Sequence, residues 1–537
     1  AIQDAGNSNL KITIPTDGDW RFTLDANDPA KPTLTISQTP NYTCYKNGDT
    51  ACDLRMYQVM VESFVNGDDS INYGVGYGPS QHKGDLQGII DSLDYIKSLN
   101  VNAIWLTPVF DSCGDTVADK KLAATGYFAC DYFNVDPKFG TNTKLQELVD
   151  AAHAKGLYVF LDGVFGHAIT NAIPAAPVSG VSPVMVAAGT GFTVDYTKAN
   201  SVTFFKEVAT HYVTNYGIDG WRLDQAYQVP PAVWTEIRTA VEAAAKARKD
   251  ANQQWGTLGY MVGEVWNGAG TIAETAYGSK QADPALKSAF DFPLRYGVLH
   301  AFASGEDGEK GDATHLNATW NEISNYPLHA MPNLMLTNHD LVRFGDLLER
   351  SGRVTGTSDA NYWLAHKAAF SFMAANSGPM TLYYGDEIGD EVPDFSAMER
   401  KLSDGTCLLA ACRDDDNIAR TDAKIVGING FTPSTEQADL KAYVTKLMEV
   451  RAAHAALYGG KRVNLAKSST LYVDLKKTFS EQVVYLLNTG SSATTYDLSS
   501  AGLSGTKVKD LMTDEVISDL TAVPAPALTG RLLLVQP

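Results

Sequence analysis

Two short segments place charged side chains at the ends of apolar runs. Arg222 and Asp224 lie two residues apart in segment 220–224, so on a strand both side chains face the same way. An arginine beside an aspartate keeps the carboxylate ionised, which suits a nucleophile, although a structural ion pair is the alternative. Glu264 ends the apolar run of segment 260–265. Burial there would raise its pKa and fit it for a general acid, whereas a solvent-facing glutamate is the alternative.

Two further segments repeat this arrangement with histidine. His339 and Asp340 follow the apolar run 334–337, and Asp162 with His167 follows the run 157–161. A single histidine is more often structural than catalytic. Two histidines and four acids at the ends of four strands are harder to explain as separate structural features, so together they predict one reactive site.

The elements that must position these residues alternate between apolar runs and helical patterns, which is typical of βα units around a parallel sheet. Eight apolar runs are predicted as strands: Met56–Val61, Ala103–Leu106, Leu157–Leu161, Gly220–Leu223, Tyr260–Val265, Phe290–Leu294, Leu334–Thr337 and Met380–Tyr384. Helices are predicted at Leu86–Leu99, Lys144–Lys155, Val202–Tyr216, Val233–Ala247 and Leu440–Ala453. This pattern predicts an α/β fold, a (β/α)8 TIM barrel whose site lies at the C-terminal ends of its strands.

The rest of the chain is predicted to attach smaller modules to the barrel. The predicted organisation is a short N-terminal β module (1–52), the first part of the barrel (53–167), a small inserted domain B (168–198), the second part of the barrel (199–455) and a C-terminal antiparallel β-sandwich domain (456–537). Further insertions are expected at 108–133 and 386–435.

The four charged segments, in this order, resemble the α-amylase family of glycoside hydrolases. The resemblance covers most of residues 55–455, and segments 194–196 and 384–389 are also similar to family segments. It implies that Asp224 is the nucleophile, Glu264 the general acid and base, and Asp340 the group that stabilises the transition state. In a retaining reaction the two carboxyl groups that act on the bond should lie about 5–5.5 Å apart.

The resemblance also implies a set of sugar-binding residues. The charged and imidazole groups would hold the first sugar, and the aromatic side chains would contact the apolar faces of sugar rings. These residues are Asp162, His167, Arg222, His339, Tyr127, Phe128 and Trp266.

Two departures from the family pattern concern calcium and the acceptor side. Many α-amylases have an asparagine that binds calcium just before the first histidine, where this chain has Gly166. They also have Lys-His shortly after the nucleophile, where this chain has Tyr227 and Gln228. We therefore expect that calcium site to be absent and the reducing-side contacts to differ.

A different calcium site is expected after the first strand, where the sequence is similar to an oxygen-rich loop of neopullulanase-like members. Its candidate ligands are Asn66, Asp68, Asn72 and Asp85, which offer the oxygen atoms that a structural Ca²⁺ ion prefers. A polar turn is the alternative. No cofactor is expected for the chemistry itself.

Composition narrows the class of partner and the compartment. The net charge of −19 excludes a nucleic-acid partner and an anionic membrane surface, and a neutral sugar fits. Six cysteines in local pairs suggest three disulfides in an oxidising compartment, Cys44–Cys52, Cys113–Cys130 and Cys407–Cys412, although the sequence allows other pairings. The chain begins at Ala1 without a methionine, so we expect a secreted or periplasmic protein whose signal peptide has been removed. We also expect a monomer.

The expected function is retaining hydrolysis of α-1,4-glucosidic bonds in starch and maltooligosaccharides. Cyclomaltodextrinase, neopullulanase, α-glucosidase and α-glucan transglycosylase activities on the same fold are alternatives, because the motifs do not separate them. A non-catalytic carbohydrate-binding protein is a remote alternative, since all three carboxylates are present.

Overall fold

The computed structural model describes most of the chain. The described residues are 49–75, 80–114, 123–189, 191–278, 284–306, 308–323, 326–327, 329–392 and 419–537, with Cys44 and four short N-terminal strands. Those strands pair as two antiparallel hairpins, Ile2–Gln3 with Leu10–Lys11 and Trp20–Asp25 with Thr33–Gln38.

Eight parallel strands close into the predicted barrel. In chain order they are β1 Arg55–Val59, β2 Ala103–Leu106, β3 Tyr158–Gly163, β4 Gly220–Leu223, β5 Tyr260–Gly263, β6 Ser288–Phe290, β7 Met331–Met335 and β8 Met380–Tyr383. β8 pairs with β1, which closes the ring. The (β/α)8 prediction is therefore confirmed.

Helices pack around the outside of this barrel and follow its strands. Their bounds are Leu86–Ser98, Asn142–Ala154, Ala199–His211, Pro231–Asp250, Ala269–Ile272, Phe292–Phe302, Thr314–Ile323, Phe344–Arg350, Ala360–Ala375, Thr435–Ala453 and Ala455–Gly459. Among the described residues, no helix combines the length and the apolar character needed to cross a bilayer.

The predicted sixth strand was wrong in its position. The strand ends at Phe290, and a helix begins at Phe292, within the predicted range Phe290–Leu294. The Asp291 carboxylate accepts a hydrogen bond from the backbone N–H of Leu294, and Pro293 occupies the first helical turn. An aspartate cap followed by proline is a helix start, and it outweighs the apolar run. β7 begins at Met331, three residues before its predicted start. The strand includes Pro332, and a proline argues against a central strand in a sequence-based prediction.

Smaller sheets flank the barrel. A three-stranded antiparallel sheet, His167–Ala168, Gly191–Val194 and Met185–Ala188, falls at the predicted domain B insertion. Phe110–Asp111 pairs with Asp131–Val135 in the insertion after β2. The C-terminal region forms a six-stranded antiparallel sheet, in the order Lys461–Lys467, Leu471–Lys477, Gln482–Asn488, Thr529–Gln536, Lys507–Asp510 and Val516–Ile517, beside the pair Thr494–Tyr496 and Val523–Ala525.

The barrel interior is filled by large side chains. Trp105, Phe160, Val262 and Met335 pack there with other buried apolar residues. The Cys44–Cys52 disulfide joins the same cluster just before β1. This disulfide and Cys113–Cys130 confirm two of the predicted pairings, while Cys407 and Cys412 lie outside the described residues.

A buried aspartate ties three parts of the barrel together at the start of β4. The Asp219 carboxylate accepts hydrogen bonds from the backbone N–H groups of Val159 (2.9 Å) and Gly256 (2.8 Å) and lies 2.9 Å from His153 Nε2. We expect Asp219→Ala to lower the free energy of unfolding by about 2–4 kcal/mol, because two buried N–H groups lose their acceptor.

The measurement is urea unfolding, in which the midpoint should fall while the slope stays constant. The exposed Asp91, which accepts a hydrogen bond from Gln87, provides a matched control, and Asp91→Ala should change stability by less than about 0.5 kcal/mol. Equal midpoints for the two variants would contradict the assigned role of Asp219.

Candidate active site

The ladder of the barrel brings the charged residues together at one end. Arg222 on β4 is in register with Asp162 on the neighbouring β3. The backbone N–H of Asp224 donates to the carbonyl of Gly163 (3.1 Å), and that of Glu264 donates to Leu223 (2.9 Å). Backbone hydrogen bonds between strands therefore set the positions of these side chains before any side-chain contact forms.

The fully buried guanidinium of Arg222 holds three carboxylates. Its Nη1 donates to both oxygens of Asp162 (2.9 and 2.8 Å) and to Oδ1 of Asp224 (2.9 Å). Its Nη2 lies 2.9 Å from Oε1 of Glu264. The Trp105 ring lies beside the guanidinium, 5.1 Å from its carbon. Sequence reasoning predicted a pair of Arg222 and Asp224, and the structure extends the pair to a cluster of four.

Burial sets the protonation of Glu264. It raises the pKa of this carboxyl to about 8, against the opposing effect of Arg222 and with the nearby charges of Asp224 and Asp340 adding to the rise. Oε2 of Glu264 accepts a hydrogen bond from the backbone N–H of Gln225 (3.0 Å). Gln225 has φ of +39°, in the left-handed region. Glu264 is therefore protonated at neutral pH.

Asp340 lies in a different environment across the site. Burial works against its ionisation, but His339 and the guanidinium groups of Arg420 and Arg222 outweigh burial and lower the pKa of this carboxyl. Oδ1 lies 2.8 Å from Arg420 Nη2, and Oδ2 lies 3.2 Å from His339 Nε2. Gln58 Nε2 lies 2.7 Å from Nδ1 of His339, and burial lowers the pKa of this imidazole to about 3. Asp340 is therefore an ionised carboxylate beside a neutral histidine.

The three carboxylates open into one cavity of about 900 Å³. Its rim carries two partly exposed aromatic side chains, Trp266 (44% exposed) and Tyr227 (53% exposed). The Trp266 ring stacks on Phe292 at 5.7 Å, and its N–H donates to the hydroxyl of Tyr296, so the ring is fixed. The cavity is lined by Asp224, Gln225, Tyr227, Glu264, Val265, Trp266, Asn267, Thr271, Thr275, Asp340 and Arg420.

A family model for the α-amylase catalytic domain matches residues 58–174 and 192–453. This chain belongs to the α-amylase family. An intracellular maltogenic amylase of Bacillus subtilis is 28% identical over 372 residues, which are 62% of this chain and 55% of that protein. Neopullulanase 2 of Thermoactinomyces vulgaris is 30% identical over 373 residues, 62% of this chain and 56% of that protein. The chain thus spans little more than half the length of these curated relatives.

A solved structure is more similar. The crystal structure of AmyP in complex with maltose is 46% identical to this α-amylase family chain, with a TM-score of 0.82. The match covers 90% of this chain and 97% of AmyP.

Of the aromatic residues predicted to bind sugar in this α-amylase family member, two pack against histidine rings and one lines the cavity. Tyr127 is buried, its hydroxyl donates to Asp162 (2.7 Å), and its ring stacks on His339 with centroids 5.2 Å apart. Phe128 packs against the ring of His167 at 5.1 Å. Of the three aromatics, Trp266 is the one whose ring lines the cavity.

Three of the predicted calcium ligands make hydrogen bonds in the segment after β1. The Asp85 carboxylate accepts hydrogen bonds from the backbone N–H groups of Gly67, Asp68 and Gly88, the last as the cap of the helix Leu86–Ser98. Asp68 accepts from Ser70 (2.9 and 2.6 Å), and Asn66 donates to Asp69. Calcium binding through Asn72 and these residues stays a prediction.

Three contacts of the site had no counterpart in the sequence analysis. Arg420 reaches Asp340 from 80 positions further along the chain, Gln58 contacts His339 from β1, and the backbone of Gln225 binds Glu264. Arg420 lies in the predicted insertion 386–435, but no strand-end pattern marks it. The left-handed conformation of Gln225 also has no sequence signal.

Arg420 gives this site a testable pH dependence. Replacing it with methionine removes a positive charge that lowers the pKa of Asp340. The carboxyl would then ionise only at higher pH, so we expect the acidic limb of the kcat/KM profile on maltooligosaccharides to move up by roughly one pH unit.

Arg420→Lys keeps the charge and is the matched control, for which we expect a smaller shift. Superimposable acidic limbs for wild type and Arg420→Met would show that this ion pair does not govern Asp340.

Proposed function

We propose that this protein hydrolyses α-1,4-glucosidic bonds of starch and maltooligosaccharides with retention of anomeric configuration. One observation carries the proposal. A single buried guanidinium, Arg222, binds both Asp224 and Glu264, while burial keeps Glu264 protonated at neutral pH. A protonated carboxyl group and a carboxylate that share one cation are the pair that a glycosidase needs, and retention follows if Asp224 acts as the nucleophile.

In the first step, Asp224 would act as the nucleophile. Its Oδ1 is held by Arg222, whereas its Oδ2 accepts no hydrogen bond from the residues that the structure describes. Oδ2 would attack the anomeric carbon while Glu264 donates its proton to the glycosidic oxygen. The carbon–oxygen bond to the leaving sugar breaks, a glycosyl ester forms on Asp224, and Glu264 becomes ionised.

In the second step, the ionised Glu264 would act as a base. It takes a proton from a water molecule, whose oxygen attacks the anomeric carbon from the side that the leaving sugar vacated. The ester bond breaks, Asp224 is released as a carboxylate, and Glu264 regains its proton. Two inversions at the same carbon give net retention.

Asp340 would stabilise the positive charge that develops on the sugar ring and bind its hydroxyl groups. Its carboxylate stays ionised in the cavity because His339 and Arg420 hold it. Neutral His339 adds a hydrogen-bonding group without adding a competing positive charge. Asp162, locked by Arg222 and Tyr127, would bind the same sugar.

A maltose complex of AmyP supports the substrate class, because that protein is similar over nearly its whole length. The names of the curated relatives support a second candidate, the cyclomaltodextrinase or neopullulanase type. These activities share the proposed carboxylates and differ in how the acceptor side accommodates a glucan.

Two disulfides support the proposal that the protein works outside the reducing cytoplasm, in a secreted or periplasmic form. Cys44–Cys52 cross-links the segment before β1, and Cys113–Cys130 cross-links the insertion after β2. Such bonds persist in oxidising compartments.

Glu264 provides the test of the mechanism. We expect Glu264→Gln to lose about 10²–10⁴-fold in kcat on starch, because a sugar leaving group needs a proton. An α-maltosyl fluoride needs no proton on its leaving fluoride, so the same variant should still form the glycosyl enzyme from it. In wild type, kcat/KM should fall as the pH rises through about 8, where Glu264 loses its proton.

Asp224→Asn is the matched control, because it should lose activity on both substrates. With Glu264→Gln, the rate of fluoride release should also show no fall at high pH, because no proton from residue 264 is needed. For Glu264→Gln, an initial burst of fluoride release that is reduced as much as the activity on starch would refute its role as the acid, because this first step does not need the base. Proton NMR of the first product identifies its anomer. Initial release of the β-anomer would refute retention.

A time course of products separates the two candidate activities. Soluble starch, maltotriose, pullulan and β-cyclodextrin are offered at equal glucose content. We expect starch to be the preferred substrate and to yield mixed maltooligosaccharides with a rapid loss of viscosity. A higher kcat/KM on β-cyclodextrin or pullulan would instead assign the second candidate.

A further inference from the structure

Gly166 has no room for a side chain. A Cβ built on it would lie 2.0 Å from Oε1 and 2.6 Å from Cβ of Gln228. Its φ is outside the left-handed region, so an alanine backbone could adopt this conformation. The requirement for glycine here is therefore one of space, and the space is filled by the side chain of Gln228.

The Gln228 amide makes a specific contact on each side. Its Oε1 lies 2.9 Å from Nδ1 of His167, and its Nε2 donates to Oε1 of Gln225 (2.8 Å). The Tyr227 hydroxyl donates to the same Gln225 oxygen (2.7 Å). Because an amide oxygen only accepts, Nδ1 of His167 must carry a proton. In the neutral imidazole, Nε2 is then the unprotonated nitrogen.

The tautomer of His167 matters because the opposite ring nitrogen, Nε2, faces the carboxylate of Asp224. Nε2 of His167 lies 3.8 Å from Oδ2 of Asp224, the oxygen proposed to attack the sugar. The ring is buried, with 8% exposed, and packs against Phe128. An unprotonated Nε2 can accept a hydrogen bond from a hydroxyl of a sugar bound beside Asp224, whereas a protonated Nε2 would donate to Oδ2 and weaken it as a nucleophile.

We propose that Gln228 is a positioning residue that fixes the tautomer and orientation of His167 beside the nucleophile, and that Gly166 is glycine to admit it. The inference rests on the proposed function, since it assigns a role within the same site. Gln225 links this contact to Glu264 through its backbone N–H, so one short segment, 225–228, touches the surroundings of both reacting carboxyl groups.

The first test replaces the amide with a side chain of similar size. Gln228→Met keeps the packing but removes the acceptor, and we expect kcat/KM on maltotriose to fall about tenfold. In long-range ¹H–¹⁵N spectra, His167 should change from the tautomer protonated on Nδ1 to a mixture. Gln228→Glu retains an acceptor for Nδ1 and should restore the tautomer at a pH high enough to keep the imidazole neutral, since the added carboxylate also favours the imidazolium.

Gln146→Met is the matched control, because Gln146 binds Asp150 on an outer helix and should leave both readouts unchanged. If His167 in wild type is protonated on Nε2, or if Gln228→Met keeps the wild-type tautomer and kcat/KM, the proposal is wrong. The tautomer is read without turnover, so this failure is distinct from failure of the proposed hydrolysis.

The second test uses the steric relation between the two positions. Gly166→Ala should displace Gln228 and lower kcat/KM about tenfold, with the same loss of the tautomer. In a Gln228→Gly background both the amide and the Cβ that Gly166→Ala would meet are gone, so adding Gly166→Ala should change kcat/KM by less than about twofold. Equal losses in both backgrounds would show that Gly166 acts independently of Gln228 and would overturn the pairing. Unfolding temperatures of all variants identify any general loss of fold.

Discussion

The buried charge of Arg222 is the interaction on which the rest of the site depends. A fully buried guanidinium is stable only if anions compensate it, and here Asp162, Asp224 and Glu264 surround one cation. Three ionised carboxylates around one buried cation would in turn be unbalanced. The cluster is relieved when acids keep their protons, and burial raises the pKa of Glu264 to about 8 and that of Asp162 to about 7. Burial of several carboxyl groups around one cation therefore favours protonation within the cluster, Glu264 included.

The barrel supplies the precision that this cluster needs. Asp162, Arg222 and the backbone of Glu264 belong to three adjacent strands or their ends, whose hydrogen bonds leave little freedom. Beneath them the Trp105 ring packs in the barrel interior and supports the guanidinium. A rigid interior allows several carboxylates to stay close together around the guanidinium.

Sequence reasoning reached those parts of the site that local patterns encode. Apolar runs identified seven of the eight strands and placed Asp224, Glu264 and Asp340 at strand ends, whereas the predicted sixth strand shares only Phe290 with β6. The errors came where a second local signal overrode the first, as at Asp291 and Pro293, whose helix start ended β6 early. Arg420 and Gln58 could not be found this way, because their partners lie far along the chain and only closure of the barrel brings them near.

Contacts set by the barrel strands and contacts made by residues outside the strands have different roles in the site. Groups fixed by the strand ladder hold the reacting carboxylates, and relatives with different names share the family domain that contains this ladder. Groups outside the strands complete the site: Arg420 contacts Asp340, and Gln228 contacts His167. Tyr227 contacts Gln225, whose backbone binds Glu264. Loops tolerate substitution better than paired strands because their backbone hydrogen bonds are fewer. A change at position 166 can therefore be matched by a change at position 228 without disturbing the barrel, and the surroundings of the nucleophile can be rebuilt while the nucleophile stays in place.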